Sequence, residues 1–301
     1  MSLPQESWPL KSIILIVFPN CKINLGLYIT GKRADGYHNI ETLFYPIGLN
    51  DALEVIHDNG KEIISNDAAF ISHFEMPGIK FSSSGQAIPG LPADNICIKA
   101  YNLLKQEYTL PPLQMHLHKA IPNGAGLGGG SADGAFCLDL LNKKFNLEIP
   151  EQKLNDYALR LGSDCPFFLL NKPAIANSRG EKLIPVDLDL SAYNIVLVNP
   201  GIHISTAEVF GLIKPMKPQN SIAEIIKQSP YEWKGQLENQ FEHPVFTMHP
   251  LLQTIKEKLY LNGAFYASMT GTGSTIFGLF HKEQKPAFDF PPEWFVKILA
   301  G

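Results

Sequence analysis

Apolar and polar positions along the chain fall into short blocks that predict a mixed series of strands and helices. Ile13-Ile14-Leu15-Ile16-Val17-Phe18 is unbroken and apolar, too short to cross a bilayer, and predicts a buried strand over 13–18. Asn24–Thr30 and Ala52–His57 predict two further strands, separated by the turn-forming Lys32-Arg33-Ala34-Asp35-Gly36. Gly60 to Pro92 is polar, contains Gly, Pro and Ser, and shows no regular period. From Asn95 to Tyr108, Ile96, Ala100, Leu103 and Leu104 recur at helical spacing behind Asp94-Asn95, a capping pair. A compact unit follows: Leu113–His118 alternates, Ala120 to Gly130 is nearly all small residues, and Ala132–Phe145 is helical. Glu151–Leu161 predicts another helix and Asn194–Val198 a buried strand. Pro215, Pro218 and Pro230 mark loops, Pro250–Leu261 is helical, and Gly263–Phe280 reads as a hairpin about a glycine-rich turn.

Strands and helices mix without a βαβα rhythm, which predicts an α+β fold rather than a doubly wound sheet. The length of 301 residues is where one core tends to split into two. Two packed domains are expected, 12–175 and 176–301. Met1 to Lys11, with two prolines and no period, reads as a loose leader or expression remnant.

Composition narrows the partners. Charged residues make up 18% and the net charge is -4, so no basic field favours nucleic acid or an anionic membrane. Cys21, Cys97, Cys137 and Cys165 stand apart with no CxxC pair, the usage of a reduced, cytoplasmic compartment rather than of disulfides or a zinc site. His116-x-His118 puts two imidazoles on one strand face, but two ligands without a third make a solvated face the better reading.

The strongest chemical signal is Pro122-Asn123-Gly124-Ala125-Gly126-Leu127-Gly128-Gly129-Gly130-Ser131. It lies between a predicted strand and a predicted helix, so its N–H groups and the helix N-terminus can surround a phosphate. No GxxxxGK[ST] is present, which removes the P-loop pattern. Gly124-x-Gly126-x-x-Gly129 satisfies the dinucleotide pattern literally, with Glu148 about twenty residues on, yet that reading leaves Gly130 and Ser131 unused.

Two more segments complete a pattern. Phe18 to Leu27 (FPNCKINLGL), Pro122 to Ala135, and Ser268 to Thr275 (SMTGTGST) resemble, in this order, the three motifs of the GHMP kinase superfamily. Thr30 to Leu43 (TGKRADGYHNIETL) resembles the stretch that sets the diphosphocytidyl-methylerythritol kinases apart within it. The resemblance covers roughly residues 13 to 280. It implies a ribosomal-S5-like N-terminal domain, a ferredoxin-like C-terminal domain, and ATP-dependent phosphorylation of a tertiary hydroxyl in the non-mevalonate route to isoprenoids.

Carried over residue by residue, the resemblance implies Asp164 as the base and Lys22 as the cation. Cys21 replaces the family's usual alanine and puts a thiol beside the site, open to oxidation. For ATP it implies Gly124 to Ser131 and Pro122 on the phosphates, including Ala125, Gly126, Leu127, Gly128, Gly129 and Gly130. Asn95 and Lys119 would lie near adenine and ribose, with Gly271 and Gly273 closing the site. For the acceptor it implies Tyr37 and His38 on the cytosine, Asn24 on the methylerythritol side, and Thr206 and Phe210 from the second domain. Mg2+ is expected with ATP, held mostly by phosphate and water with Ser131 as the protein oxygen. A monomer or weak homodimer is expected, with no nucleic-acid or membrane partner. Another GHMP kinase, or a GHMP-fold protein that binds nucleotide without catalysis, are the competing readings. Tyr37 and His38 argue against the first, and Lys22 with Asp164 against the second.

Overall fold

The structure, a computed structural model, describes residues 16–58, 60, 70–216, 218, 220–284 and 286–301. In chain order its elements are β1 (Ile16–Val17), β2 (Asn20–Lys32), β3 (His38–Asn50), β4 (Ala52–His57), β5 (Phe70–Met76), β6 (Ile79–Gly85), α1 (Ile96–Lys105), β7 (Leu113–Lys119) and α2 (Gly129–Lys144). Then come α3 (Glu151–Leu161), α4 (Cys165–Leu170), β8 (Ala174–Ser178), β9 (Lys182–Pro185), β10 (Tyr193–Asn199), α5 (Thr206–Leu212) and α6 (Ile222–Ile225). The chain ends with α7 (Glu242–Met248), α8 (Pro250–Leu261), β11 (Tyr266–Met269), β12 (Ile276–His281) and β13 (Phe295–Ala300).

Three sheets form. The first runs β1-β4-β7-β6-β5, antiparallel except for the parallel β6–β7 pair; the second runs β2-β3-β8-β9 and the third β11-β12-β10-β13, both antiparallel. This is the expected α+β architecture. Helices α1 to α4 cover one face of the first sheet, where Leu53, Val55, Met115 and Leu117 meet Tyr101, Leu138 and Leu141 in one core. Helix α8 packs on the third sheet through Leu252, Ile255 and Leu259. Strand β3 lies between: Phe44 joins the helical core, while Leu43 and Tyr45 join a second core with Leu197, Trp233 and Phe277. Successive side chains of a strand point to opposite faces, so one strand serves both cores.

That double burial explains why β3 is hard to foresee. Leu43, Phe44 and Tyr45 are buried in succession, which erases the alternation of a half-exposed strand. The hairpin β5–β6, inside the stretch with no regular period, is hidden for another reason. Ser82 and Ser84 give β6 low strand propensity, but their hydroxyls bond His116, and Ser84 also bonds His118. His116 and His118 are thus tied to serines, and no group of three potential metal-binding side chains occurs among the described residues. Residues 13–15 of the first expected strand, and Met1 to Lys11, lie outside the described residues.

A boundary at 175/176 falls inside β8, which pairs with β3 on one side and β9 on the other. The second sheet continues to Pro185, and the third begins at Tyr193. The changeover therefore lies in 186–192, pinned where Leu190 N–H donates to the Tyr45 hydroxyl at 3.0 Å. No helix among the described residues is long and apolar enough to cross a membrane.

Candidate active site

Strand β2 sends Cys21, Ile23 and Leu25 into the second core, which leaves Lys22 and Asn24 together on its other face. Lys22 is buried, and its ammonium donates to Asn24 Oδ1 and to Gly126 O at 3.1 Å. It stands 3.9 Å from Asp164 Oδ2 and 5.0 Å from the centre of the Phe44 ring. Burial lowers its pKa and the Asp164 carboxylate opposes that shift. Asp164 occupies the N-cap position of α4, yet its side chain makes no capping bond, so the carboxylate faces Lys22 instead. Its side chain is 30% exposed, open enough to meet a ligand and pass a proton to water.

The glycine loop is locked to β2 and to the turn after β11. Lys22 N–H donates to Leu127 O, Thr275 N–H to Ala125 O, and Thr270 Oγ1 bridges Gly126 O and the backbone N–H of Asn24. Gly126 has φ +78, and an added Cβ would lie 2.1 Å from Thr270 O; only glycine lets the two loops touch. Gly128, at φ +72, caps α2 and passes under Phe168 and Lys22. The N–H groups of the first turn of this 16-residue helix, at Gly129, Gly130 and Ser131, follow directly. A Cβ on Gly130 would meet nothing within 4 Å, so this rim is open. The arrangement forms an anion cradle beside the Lys22–Asp164 pair. Gly271 packs on Gly126, and Gly273 packs on Met269 and Ile204. Pro122 leads in from β7, and Ser131 is half-buried on the α4 side, near the Cys165 thiol. Glu148 lies beyond the far end of α2, about 24 Å along it at 1.5 Å per residue, which removes the dinucleotide reading.

The acceptor-side candidates gather across the sheets. His38 opens β3 and stacks on Phe210 of α5, with centroids 5.1 Å apart and planes inclined by 28°. Thr206, one turn earlier on α5, meets Thr272 hydroxyl to hydroxyl at 3.2 Å. Tyr37 is 54% exposed.

The two candidates for the adenine and ribose side are engaged within the fold. Asn95 caps α1 through Oδ1, which accepts from Cys97 N–H at 2.9 Å. Lys119 is enclosed between Asp51 and Asp133, and Asp51 Oδ1 also accepts from the N–H groups of Ala120 and Ile121. Burial works against the Lys119 charge, but the two carboxylates outweigh it and hold its pKa above the usual value. Burial drives Asp133 up to about 8 against the pull of Lys119, with Asp51 adding to the rise. Lys119 therefore braces the root of the glycine loop, its ammonium taken up by two carboxylates beside Gly129. Cys21 is likewise closed: burial, and then Asp51, push its thiol up to about 12, which removes the expected sensitivity to oxidation.

Sequence reading missed several contributors. Thr270 lies within Ser268–Thr275, where a hydroxyl inside a glycine-rich turn is a visible signal. Asp51 and Asp133 gave none, since their partner Lys119 is remote from both in sequence. Phe44 and Arg179, at 3.9 Å over the Tyr37 ring, depend on strand pairing that the sequence does not display.

Comparison with known proteins agrees with this geometry. Residues 95–172 match the profile of the GHMP kinases N terminal domain, and 221–289 that of the GHMP kinases C terminal. The chain is 50% identical to a 4-diphosphocytidyl-2-C-methyl-D-erythritol kinase of Bacteroides fragilis over 90% of this chain and 94% of that protein. It is 46% identical to the enzyme of the same name from Cytophaga hutchinsonii, over 89% and 93%. A crystal structure of 4-(cytidine 5'-diphospho)-2C-methyl-D-erythritol kinase superposes with TM-score 0.70 at 30% identity, covering 88% of this chain and 90% of that one. Homoserine kinase from Cytophaga hutchinsonii, 14% identical at TM-score 0.61 over 94% and 89%, shares the fold. By its two matched domains and its identity to full-length relatives, the chain belongs to the GHMP kinases and, within them, to the 4-diphosphocytidyl-2-C-methyl-D-erythritol kinases.

Proposed function

We propose that this chain transfers the γ-phosphoryl group of ATP to the 2-hydroxyl of 4-diphosphocytidyl-2-C-methyl-D-erythritol, a step on the non-mevalonate route to isoprenoid precursors. The observation that carries the chemistry is the Lys22–Asp164 pair at 3.9 Å beside an open glycine cradle. A tertiary alcohol is a crowded, weak nucleophile, so catalysis must come from in-line positioning and from charge placed on the transferring group. The acceptor oxygen bonds to the γ-phosphorus as the bond from that phosphorus to the β,γ-bridging oxygen breaks, and ADP leaves with that electron pair. The hydroxyl proton passes to Asp164 and from there to solvent. Lys22, fixed by Asn24 and Gly126, keeps a positive charge at the transferring group without reorganising.

Tyr37, with His38, Phe210 and Thr206, would hold the cytidine, and Asn24 the methylerythritol side. The N–H groups from Gly124 to Ser131 fit the ATP phosphates, since the rim at Gly130 is open while Gly126 and Gly128 let the loop pack closely on Thr270, Phe168 and Lys22. Mg2+, a hard cation, would be held by phosphate oxygens and water with the half-buried Ser131 hydroxyl as the protein oxygen, and would supply neutralisation of phosphate charge.

The test is ADP release with ATP and magnesium, offering diphosphocytidyl-methylerythritol beside mevalonate, homoserine and galactose. Turnover confined to the cytidylated acceptor is expected. Preference for another acceptor would overturn the roles of Tyr37 and His38, and no turnover with any would overturn the kinase mechanism.

A further inference from the structure

Thr42 of β3, inside the Thr30–Leu43 stretch, is a polar residue with no exposed surface. Opposite it, β2 carries a bulge: Leu25 pairs with Leu43 and Leu27 with Thr42, so Gly26 has no partner on β3. Gly26 holds φ +70, and an added Cβ would lie 2.6 Å from the buried Leu237 side chain. Glycine suits both demands. With its carbonyl released from the strand pairing, Gly26 O accepts a hydrogen bond from the Thr42 hydroxyl at 2.6 Å.

That bond decides a second one. A carbonyl oxygen cannot donate, so the single proton of the hydroxyl goes to Gly26, and towards Asn24 the Thr42 oxygen can only accept. It accepts from Asn24 Nδ2 at 2.9 Å. The amide of Asn24 is thereby given one orientation, with Oδ1 facing the Lys22 ammonium and, at 3.1 Å, the Thr270 hydroxyl. Turned over, it would set an N–H2 group against an ammonium that can only donate. The β-branched side chain of Thr42 is stiff at χ1, which keeps the hydroxyl in place.

We propose that Thr42 is a positioning residue for the phosphoryl transfer: it fixes the amide of Asn24, and Asn24 so fixed holds the Lys22 ammonium at the transferring group. This rests on the role given to Lys22 above. The titratable groups that act on Lys22 are Asp164 of α4 and the Cys21 thiol of its own strand, which burial keeps neutral with a pKa of about 12. Strand β3 meets the ammonium with the Phe44 ring, and the glycine loop meets it with Gly126 O. Few groups therefore favour the charged form against burial, and Asn24 Oδ1 is one of them. If the amide turns over, the ammonium should lose its proton at a lower pH.

The experiment follows initial-rate ADP release against pH in the wild type, Thr42→Val and Thr42→Ser, at a temperature that calorimetry places below every unfolding transition. Valine keeps the branched shape without the hydroxyl; serine keeps the hydroxyl without the methyl. Thr42→Val should lower kcat by roughly 10- to 100-fold while KM for ATP stays within about threefold. It should also move the alkaline limb of kcat/KM for the acceptor to lower pH. Thr42→Ser should return the limb to its wild-type place and kcat to within about threefold of wild type. A packing role alone would lower the melting temperature without moving the limb, and serine, lacking the methyl, would not rescue it. A limb that stays in place in Thr42→Val, or a loss of kcat that serine does not recover, overturns the proposal. If Thr42→Val does not fold, Thr42→Cys, whose thiol hydrogen-bonds only weakly, takes its place, and an unmoved limb there overturns the proposal equally. Should Lys22→Met lose turnover while Thr42→Val matches the wild type, only the role of Thr42 falls. A Lys22→Met enzyme as fast as wild type overturns the role of Lys22 and this inference together.

Discussion

Replacing Lys22 by methionine separates catalysis from stability. The ammonium is buried, held by Asn24 Oδ1 and Gly126 O, and stands 3.9 Å from Asp164. Both acceptors also lie within reach of the Thr270 hydroxyl, at 3.1 and 3.0 Å. One hydroxyl carries one proton, so Lys22→Met leaves one buried acceptor unserved, at a cost of about 1–3 kcal/mol. The substitution also abolishes the desolvation of a buried ammonium, a penalty of several kcal/mol in the folded state. Asp164, 30% exposed, is not stranded as a buried charge. The two effects nearly cancel, so stability should change by about 1 kcal/mol or less, which is about 3 °C or less in Tm. The fixed charge at the transferring group is lost in full, so kcat should fall by roughly 10²- to 10³-fold. Initial-rate ADP release, read beside a calorimetric melting scan, measures both. A fall in kcat of under tenfold, or a loss of more than about 8 °C in Tm, would show that Lys22 serves the fold rather than the reaction.

Asp164→Asn keeps the shape of the site but cannot accept the proton, and should lower kcat by roughly 10²- to 10⁴-fold; unaltered turnover with intact ATP binding would remove Asp164 as base. Gly126→Ala forces a Cβ to within 2.1 Å of a backbone oxygen at φ +78, and should cost at least about 2 kcal/mol. A melting temperature within about 2 °C of wild type would refute that close approach. Asp133, raised to about 8 by burial, binds its proton more tightly folded than unfolded. The stability this proton confers is complete below about pH 4 and lost as the pH climbs towards 8. Urea midpoints should fall between pH 5 and pH 8 in wild type and fall less in Asp133→Asn; parallel profiles would contradict the shift.

The sequence displayed the catalytic motifs better than the frame that joins them. The unit from β7 through the glycine loop to α2 was legible because alternation, a small-residue loop and helical spacing follow one another in a continuous stretch. Lys22 and Asp164 were legible through the family's motifs, but their separation came only from the structure. Strand β3 stayed hidden because burial on both faces leaves no alternation, and β6 because its serines are bound by imidazoles from β7. The family resemblance implies Lys119 near adenine and ribose. Its enclosure between Asp51 and Asp133 depends on contacts 68 and 14 residues away, and no local pattern encodes them.

Strand β3 turns Phe44 to one core and Leu43 and Tyr45 to the other, so the two halves of the molecule share a beam rather than meet at a joint. A rigid rotation of one half against the other would tear side chains of a single strand from both cores at once. Water must therefore be shut out of the reaction by local movement of the segments around the cleft. The spacing of Lys22 on β2 and Asp164 at the head of α4, which rests on Phe44 of β3 through Phe167, would be kept in such movement, and adaptation to a new acceptor would fall on the loops that flank the beam rather than on the beam itself.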